Sequence, residues 1–377
     1  VKSIERDAMM KLLSILLFVC IPFVFLNFCK TPISCIAADF RTVVCPASEN
    51  NPRNSEGDII ELKDGTLLLA WSKFAGRDDH ANAVIAAKTS ADGGKNWGEE
   101  FTLQESIGAQ NVMSVSLLRL QSGTILFFFL TKNASDDLQL FLRSSTDEAK
   151  TWSEPRKISA IGGYHVMNNA RSIQLASGRI LAPIAWCADI GKTYDSQICF
   201  CYYSDDEGKT WHKAEGSVKL EDSAAMEPGL VELKNGTVLM IIRTRLDRIY
   251  RALSADQGET WSAAQAMDLI APAAPATISR IPQTGDLLMV WNNNPLGNQA
   301  GWRGRTPLTA AVSADEGNTW THVRNIEDDP DSGYAYTSIM WVNDRALLTY
   351  YHWKRGSENF QNTDLVLRSI PIRWFYE

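Results

Sequence analysis

The sequence predicts an all-β fold, a six-bladed β-propeller with four-stranded antiparallel blades, and three observations carry that prediction. A strand-turn-strand unit recurs six times, an eight-residue polar turn recurs five times, and the strands are apolar almost without a break. Self-similarity at a regular spacing decides architecture before any single residue does.

The strand-turn-strand units are "DIIELKDGTLLLAWS", "SVSLLRLQSGTILFFFL", "ARSIQLASGRILAPIAW", "EPGLVELKNGTVLMIIR", "TISRIPQTGDLLMVW" and "YTSIMWVNDRALLTYYHW". Asp-Gly, Ser-Gly, Asn-Gly and Thr-Gly pairs between apolar runs mark hairpins, because such turns need positive φ. Near-continuous apolar character says that both faces of each strand are buried, as in strands sandwiched within a closed architecture.

The polar turns are "SADGGKNW" (90–97), "STDEAKTW" (145–152), "SDDEGKTW" (204–211), "SADQGETW" (254–261) and "SADEGNTW" (313–320), a Ser-x-Asp-x-Gly-x-Thr-Trp pattern. The Ser and Asp side chains cap backbone N–H groups, Gly supplies a positive-φ position, and Trp packs between blades. Ala149 replaces the glycine of the second copy, which predicts a strained or altered turn. The sixth unit, from near Tyr336, lacks this turn and ends in "LVLRSIPIRWF"; a strand around "RTVVCP" would close it. Radial packing of six such sheets buries them without exposed edges, and a pair of β-sandwiches is the alternative arrangement.

The propeller is expected over residues 39–377. Residues 1–38 stand apart: Lys11 precedes "LLSILLFVCIPFVFLNF", and "SCIAADF" offers small residues for cleavage near Ala37 or Ala38. That pattern predicts a secretory signal and a secreted, periplasmic or extracellular protein; an uncleaved N-terminal membrane anchor is the alternative, the apolar run being long and broken by Pro22. With the leader removed, four cysteines remain, Cys45, Cys187, Cys199 and Cys201. Cys187 could bridge to Cys199 or Cys201, or all could be free and buried.

The formal charge of −7 argues against a general nucleic-acid binder, which needs a basic stripe to neutralise phosphates. No cysteine or histidine spacing resembles a zinc site, and neither a metal nor an organic cofactor is expected.

In an up-and-down blade, the hairpins and polar turns share one face. The opposite face collects the entries of first strands, the exits of second strands and the long loops. Arg53, Asn111, Asn168, Glu227 and Tyr336 all precede a hairpin glycine, or Asp344 in the sixth unit, by about eight to twelve residues, and Arg243 lies seven after Gly236. Asp79 and Arg305 sit in connections between second and third strands. Three arginines, two carboxylates and a tyrosine thus converge on one mouth. Arginine forks bind carboxylates bidentately, a Glu beside a Tyr helps the phenol act as nucleophile, and a carboxyl in a mobile loop can serve as general acid.

These residues resemble, in order and spacing, the sialidase (neuraminidase) superfamily of Asp-box propellers, over essentially the whole chain from about residue 45. Asp79 lies eleven residues ahead of the first box serine, Glu227 sixteen before Arg243, Arg305 eight before Ser313, and Tyr336 falls in "YAYTS". The resemblance implies an exo-α-sialidase releasing sialic acid or a related acidic nonulosonic sugar with retention. Arg53, Arg243 and Arg305 would hold the substrate carboxylate, Tyr336 would attack the anomeric carbon, Glu227 would take its proton, and Asp79 would act as acid and then base. The implied partners are sialylated or other acidic glycans. An anionic nucleophile would be repelled by the substrate's own carboxylate, which accounts for a neutral phenol.

Several features depart from the family pattern. Arg53 stands in "NNPRNSEG" without the usual Arg-Ile-Pro; Lys73 or Arg77 stands for a further arginine; Asp78 adjoins Asp79 and competes for its role. "YHVMNNARS" and "VWNNNP" bring His165, Asn168, Asn169, Arg171, Asn292 and Asn293 toward the same face, so Asn111, Asn168, Asn169, Arg171 and Asn292 are expected as additional substrate contacts. A non-catalytic carbohydrate-binding propeller is the second reading, and a lyase or other acidic-glycan glycosidase, with His165 as base, the third.

Overall fold

The computed structural model describes residues 38–354 and 362–377. The leader expected over residues 1–38 lies outside the described residues save for its last. Among the described residues no helix is long and apolar enough to cross a membrane.

The fold is an all-β propeller built from antiparallel four-stranded sheets. One sheet runs Arg53–Glu61, Leu67–Phe74, Ala83–Ser90, Phe101–Gln104; another Met226–Glu232, Val238–Arg243, Arg248–Ser254, Gln265–Ile270; a third Thr277–Arg280, Leu287–Asn292, Leu308–Ser313, Thr321–Glu327. In each, a hairpin joins the first strand to the second. The sheet of Ser332–Val342, Arg345–Lys354 and Asp364–Pro371 takes its outer strand from the other end of the propeller, Phe40–Cys45 pairing antiparallel with Asp364–Pro371.

The expectation of six separate sheets is corrected between residues 111 and 213. There the strands form one nine-stranded sheet, because Gly163–Val166 pairs parallel with Asp137–Ser145 and antiparallel with Ile180–Cys187. The connection from one unit to the next is itself a strand, and it ties the two units together.

Side chains from neighbouring sheets interdigitate. Ile60, Leu68, Ala70 and Ile85 meet Val115, Leu117, Ile125, Phe127 and Phe129 in one such layer, and Leu181, Cys199 and Cys201 meet Leu230, Val238 and Met240 in another. Each fully buried residue of this size contributes roughly 1.5–3 kcal/mol. Cys45, Cys187, Cys199 and Cys201 are free and buried. Cys199 faces Ala185 and Cys201 faces Pro183 across the sheet, so neither is opposite Cys187.

The polar turns are closed by their own side chains. In the third copy Ser204 donates to Asp206 at 2.8 Å, Gly208 N donates back to Ser204 at 2.8 Å, and Thr210 N donates to Asp206 at 2.8 Å. Two successive residues take positive φ, Glu207 at 59° and Gly208 at 82°. Ala149 keeps the same bonds, its N–H reaching Ser145 Oγ at 3.0 Å, but its φ is 60° where Gly94, Gly208, Gly258 and Gly317 lie between 82° and 93°. A Cβ in that region is strained by roughly 1–2 kcal/mol. Ala149→Gly should therefore stabilise the protein by about 1 kcal/mol, read as an upward shift in thermal unfolding, whereas Gly258→Ala should lower it. An unchanged or lower midpoint for Ala149→Gly would show that the turn is unstrained.

Candidate functional site

Four innermost strands break register where they reach the central cavity: between Ser55 and Asp58, Met113 and Val115, Met226 and Gly229, and Ala335 and Ser338. Inside each break sits a non-glycine residue with positive φ, Glu56 at 55°, Ser114 at 56°, Glu227 at 41° and Tyr336 at 59°. Such bulges turn a side chain away from the sheet's alternation. All four line one cavity of about 520 Å³, together with Asp79, Asn168, Arg243 and Arg305. The strain, of order 1–3 kcal/mol per residue, is concentrated where the polar side chains meet.

Glu227 is 9% exposed and has both oxygens occupied. Tyr336 donates its hydroxyl hydrogen to Oε1 at 2.9 Å, and Arg243 Nη1 donates to Oε2 at 2.5 Å. Burial works to raise the Glu227 carboxyl, but Arg243, Tyr336 and Arg305 outweigh it and hold it below its ordinary value. The Tyr336 phenol is pushed well above its ordinary value, first by burial and then by the Glu227 charge. The pair therefore rests as carboxylate and phenol, with the proton on the tyrosine. Arg305 donates to the Tyr351 hydroxyl and lies 5.6 Å from the centre of the Tyr336 ring.

Asp79 hangs in the loop between Leu67–Phe74 and Ala83–Ser90. Its side chain, 58% exposed, accepts from Arg53 Nη1 at 2.5 Å. Partial desolvation works to raise the Asp79 carboxyl, and Arg53 outweighs it, leaving it below its ordinary value. Asp78 instead caps the N–H of His80 at 2.8 Å. Arg53 opens onto an adjoining cavity of about 300 Å³ that shares Asp79, Arg305 and Tyr336 with the first. Arg77 lines it too, whereas Lys73 is paired with Glu100.

The asparagines expected as substrate contacts divide. Asn168 lines the cavity. Asn111 is buried and donates to the backbone carbonyls of Asp79 and Ala81, at 2.9 Å each, so it holds the Asp79 loop. Asn169 donates to Gly57 O at 2.7 Å and Tyr336 O at 2.8 Å. Asn292 donates to Pro307 O at 3.2 Å and Tyr334 O at 3.1 Å. Arg171 is 2% exposed and lies behind the cavity wall. Asn293 lines a separate groove beside Trp291 and Trp320. His165 is buried between Tyr202 and the Leu138 carbonyl, and burial brings its imidazole down to about 4. That makes it a neutral core residue.

Glu56, Ser114, Tyr351 and Lys132 escaped the reading of the sequence. Ser114 donates to Glu56 Oε2, and Glu56 Oε1 lies 3.5 Å from Arg53 Nη2. Lys132, 1% exposed, donates to Asp79 O at 3.0 Å. Glu56 carried no legible signal, since it lies in the polar run 53–58 and its burial comes from the neighbouring sheets, whereas Glu227 stands directly before an apolar run. Among the described residues no group of three or more His, Cys, Asp or Glu is arranged to hold a metal.

Comparison with known proteins places the chain in a family. The BNR repeat-like domain model matches residues 65–352. A sialidase of Bacteroides fragilis is 24% identical over 349 residues, covering 81% of this chain and 61% of that protein. The anhydrosialidase of Macrobdella decora is 24% identical, covering 58% and 30%. The chain thus spans about three fifths or less of the length of these two relatives. A Dyadobacter fermentans protein of unknown function superposes with a TM-score of 0.69 at 20% identity, covering 88% of this chain and 99% of that one. Trypanosoma rangeli sialidase, in covalent complex with 2,3-difluorosialic acid, gives 0.70 at 15% identity, covering 89% and 59%. At these identities the superpositions establish the fold.

Burial raises the Glu56 carboxyl from 4.5 to about 7 despite Arg53 and Ser114. A group raised in the folded state favours folding below its unfolded value and loses that contribution as pH rises through the folded one. Glu56→Gln should therefore melt progressively higher than the wild type as pH goes from 4.5 to 7, by about 1–3 kcal/mol at the upper end. Thermal unfolding across that window checks it; a pH-independent difference would show that Glu56 is fully compensated.

Proposed function

We propose, for a chain that belongs to the BNR repeat-like family within the sialidase superfamily of propellers, that it is a retaining exo-glycosidase removing terminal sialic acid or a related acidic nonulosonic sugar. One observation carries the reading. A phenol is hydrogen-bonded to a buried carboxylate at 2.9 Å, that carboxylate is bound in turn by an arginine, and both face a cavity that also receives a loop aspartate.

In this reading the substrate carboxylate is held by Arg53, Arg243 and Arg305. Two of these now serve carboxylates of the protein itself, Arg53 on Asp79 and Arg243 on Glu227. An entering carboxylate competes for both forks. Displaced from Arg53, Asp79 loses the charge that holds its carboxyl low and becomes able to carry the proton a general acid must give to the leaving oxygen. Tyr336 Oη then bonds to the anomeric carbon as the glycosidic C–O bond breaks, its proton passing to Glu227 and the Asp79 proton to the leaving group. Water, deprotonated by Asp79, cleaves the tyrosyl-sugar bond in the second half, while Glu227 returns its proton to the phenolate. Two inversions give retention. The apolar wall of Met113, Leu130, Leu138 and Val166 suits the less polar flank of a large sugar.

The same reading counts six blades, taking the nine-stranded sheet as two blades tied by Gly163–Val166. It also keeps export of the protein as a proposal, on the leader pattern of residues 11–38.

Turnover of a fluorogenic α-sialoside tests the assignment. Tyr336→Phe and Glu227→Gln should each lose about 100-fold or more in kcat; Tyr336→Phe should unfold near the wild-type temperature, and Glu227→Gln somewhat below it because Arg243 loses its partner. Wild-type release of sugar undiminished by Tyr336→Phe would overturn the nucleophile; no release from any acidic nonulosonic glycoside would favour a carbohydrate-binding protein.

A further inference from the structure

The segment Asn168–Asn169–Ala170–Arg171 takes no direct part in that scheme, yet it places a full charge beside it. Arg171 Nε donates to Asn168 Oδ1 at 2.8 Å, Nη1 reaches Thr277 Oγ1 at 3.3 Å, and Nη2 has no hydrogen-bond partner. Among the described residues it makes no ion pair. Retaining an unpaired guanidinium in the interior costs several kcal/mol, so its contribution to stability is poor.

Its position is specific to the reacting pair. A Cβ on Gly229, two residues after Glu227, would lie 3.2 Å from both Arg171 Nη1 and Ile241 Cγ1, so the guanidinium packs directly against the strand that carries Glu227. Thr277, which Nη1 contacts, donates to Thr337 O at 2.6 Å, next to Tyr336, and Asn169 donates to Tyr336 O at 2.8 Å. The charges acting on Arg171 are Glu227, then Tyr336, then Asp58; those acting on Glu227 are Arg243, Arg305 and the Tyr336 hydroxyl, and Glu227 also bears on Glu56. Burial lowers the guanidinium only to about 10, so it stays charged wherever the site works.

We propose that Arg171 is a positioning residue for the Tyr336–Glu227 pair, a standing cation behind the cavity wall that keeps Glu227 ionised after substrate has taken Arg243. The inference rests on the glycosidase reading. In the free site Arg243 compensates Glu227 directly. A substrate carboxylate shares that guanidinium and adds a negative charge of its own, and both effects favour protonation of Glu227 at the moment it must act as base. Arg171 is out of the substrate's reach, so its charge is not competed away.

The two stages are separable, because kcat/KM follows ionisation in the free enzyme and kcat follows it in the complex. Arg171→Met should shift the acid limb of kcat upward by about one pH unit, some 10-fold at the acid end, and shift that of kcat/KM less. Arg171→Lys, which keeps the charge, should restore the wild-type limb. Arg171→Gln, which keeps amide donors without the charge, should move it the same way as Arg171→Met, and serves if Arg171→Met does not fold. An active wild type whose kcat limb is unmoved in Arg171→Met or Arg171→Gln, or moved equally in Arg171→Lys, overturns this inference alone. A wild type without turnover on acidic nonulosonic glycosides overturns the glycosidase reading and this inference with it.

Discussion

The hydrogen bond from Tyr336 to Glu227 is the interaction on which the rest of the site is organised. A carboxylate and a phenol, both buried, keep this protonation arrangement only while cations outweigh the cost of desolvation. Arg243 meets that need by contact, and Arg305, which donates to Tyr351 and lies against the Tyr336 ring, adds to it. In the proposed chemistry the same guanidinium groups receive the carboxylate of the substrate. Free and liganded forms would then differ in which carboxylates the arginines serve, and this exchange would link recognition to proton transfer.

Backbone geometry supplies the aim. In a regular strand, residues at the cavity would alternate between two buried faces and none would point along the axis. At Glu56, Ser114, Glu227 and Tyr336 a bulge with a positive-φ residue breaks that alternation, and the strain is carried by sheets whose cores are packed on both sides. Asn169 fastens the Tyr336 carbonyl, while Asn111 and Lys132 fasten that of Asp79. Much of the polar machinery thus grips backbone and never reaches the cavity.

Repeats made the architecture legible, because hairpin glycines and polar turns are local devices whose chemistry shows in a few adjacent residues. The strand Gly163–Val166 was not legible: its pairing joins two units, and nothing in four residues states which edges they will bridge. The placements of Glu227, Tyr336, Asp79 and the three arginines followed from counting along the repeats. Asn111, Asn169, Arg171 and Asn292 were carried to the correct end of the strands, but burial depends on the neighbouring sheets, and it turned them into braces behind the wall. Glu56 was not legible, because its neighbours Arg53, Asn54, Ser55 and Asp58 are themselves polar and no apolar run sets it off.

The proposed reaction depends on Tyr336 forming a bond to the sugar. Mass-spectrometric peptide mapping after incubation with 2,3-difluorosialic acid tests that step directly. The predicted result is one added sugar on the peptide carrying Tyr336, absent when that residue is phenylalanine; an unmodified protein that still hydrolyses α-sialosides, or an adduct on a carboxylate, would contradict it.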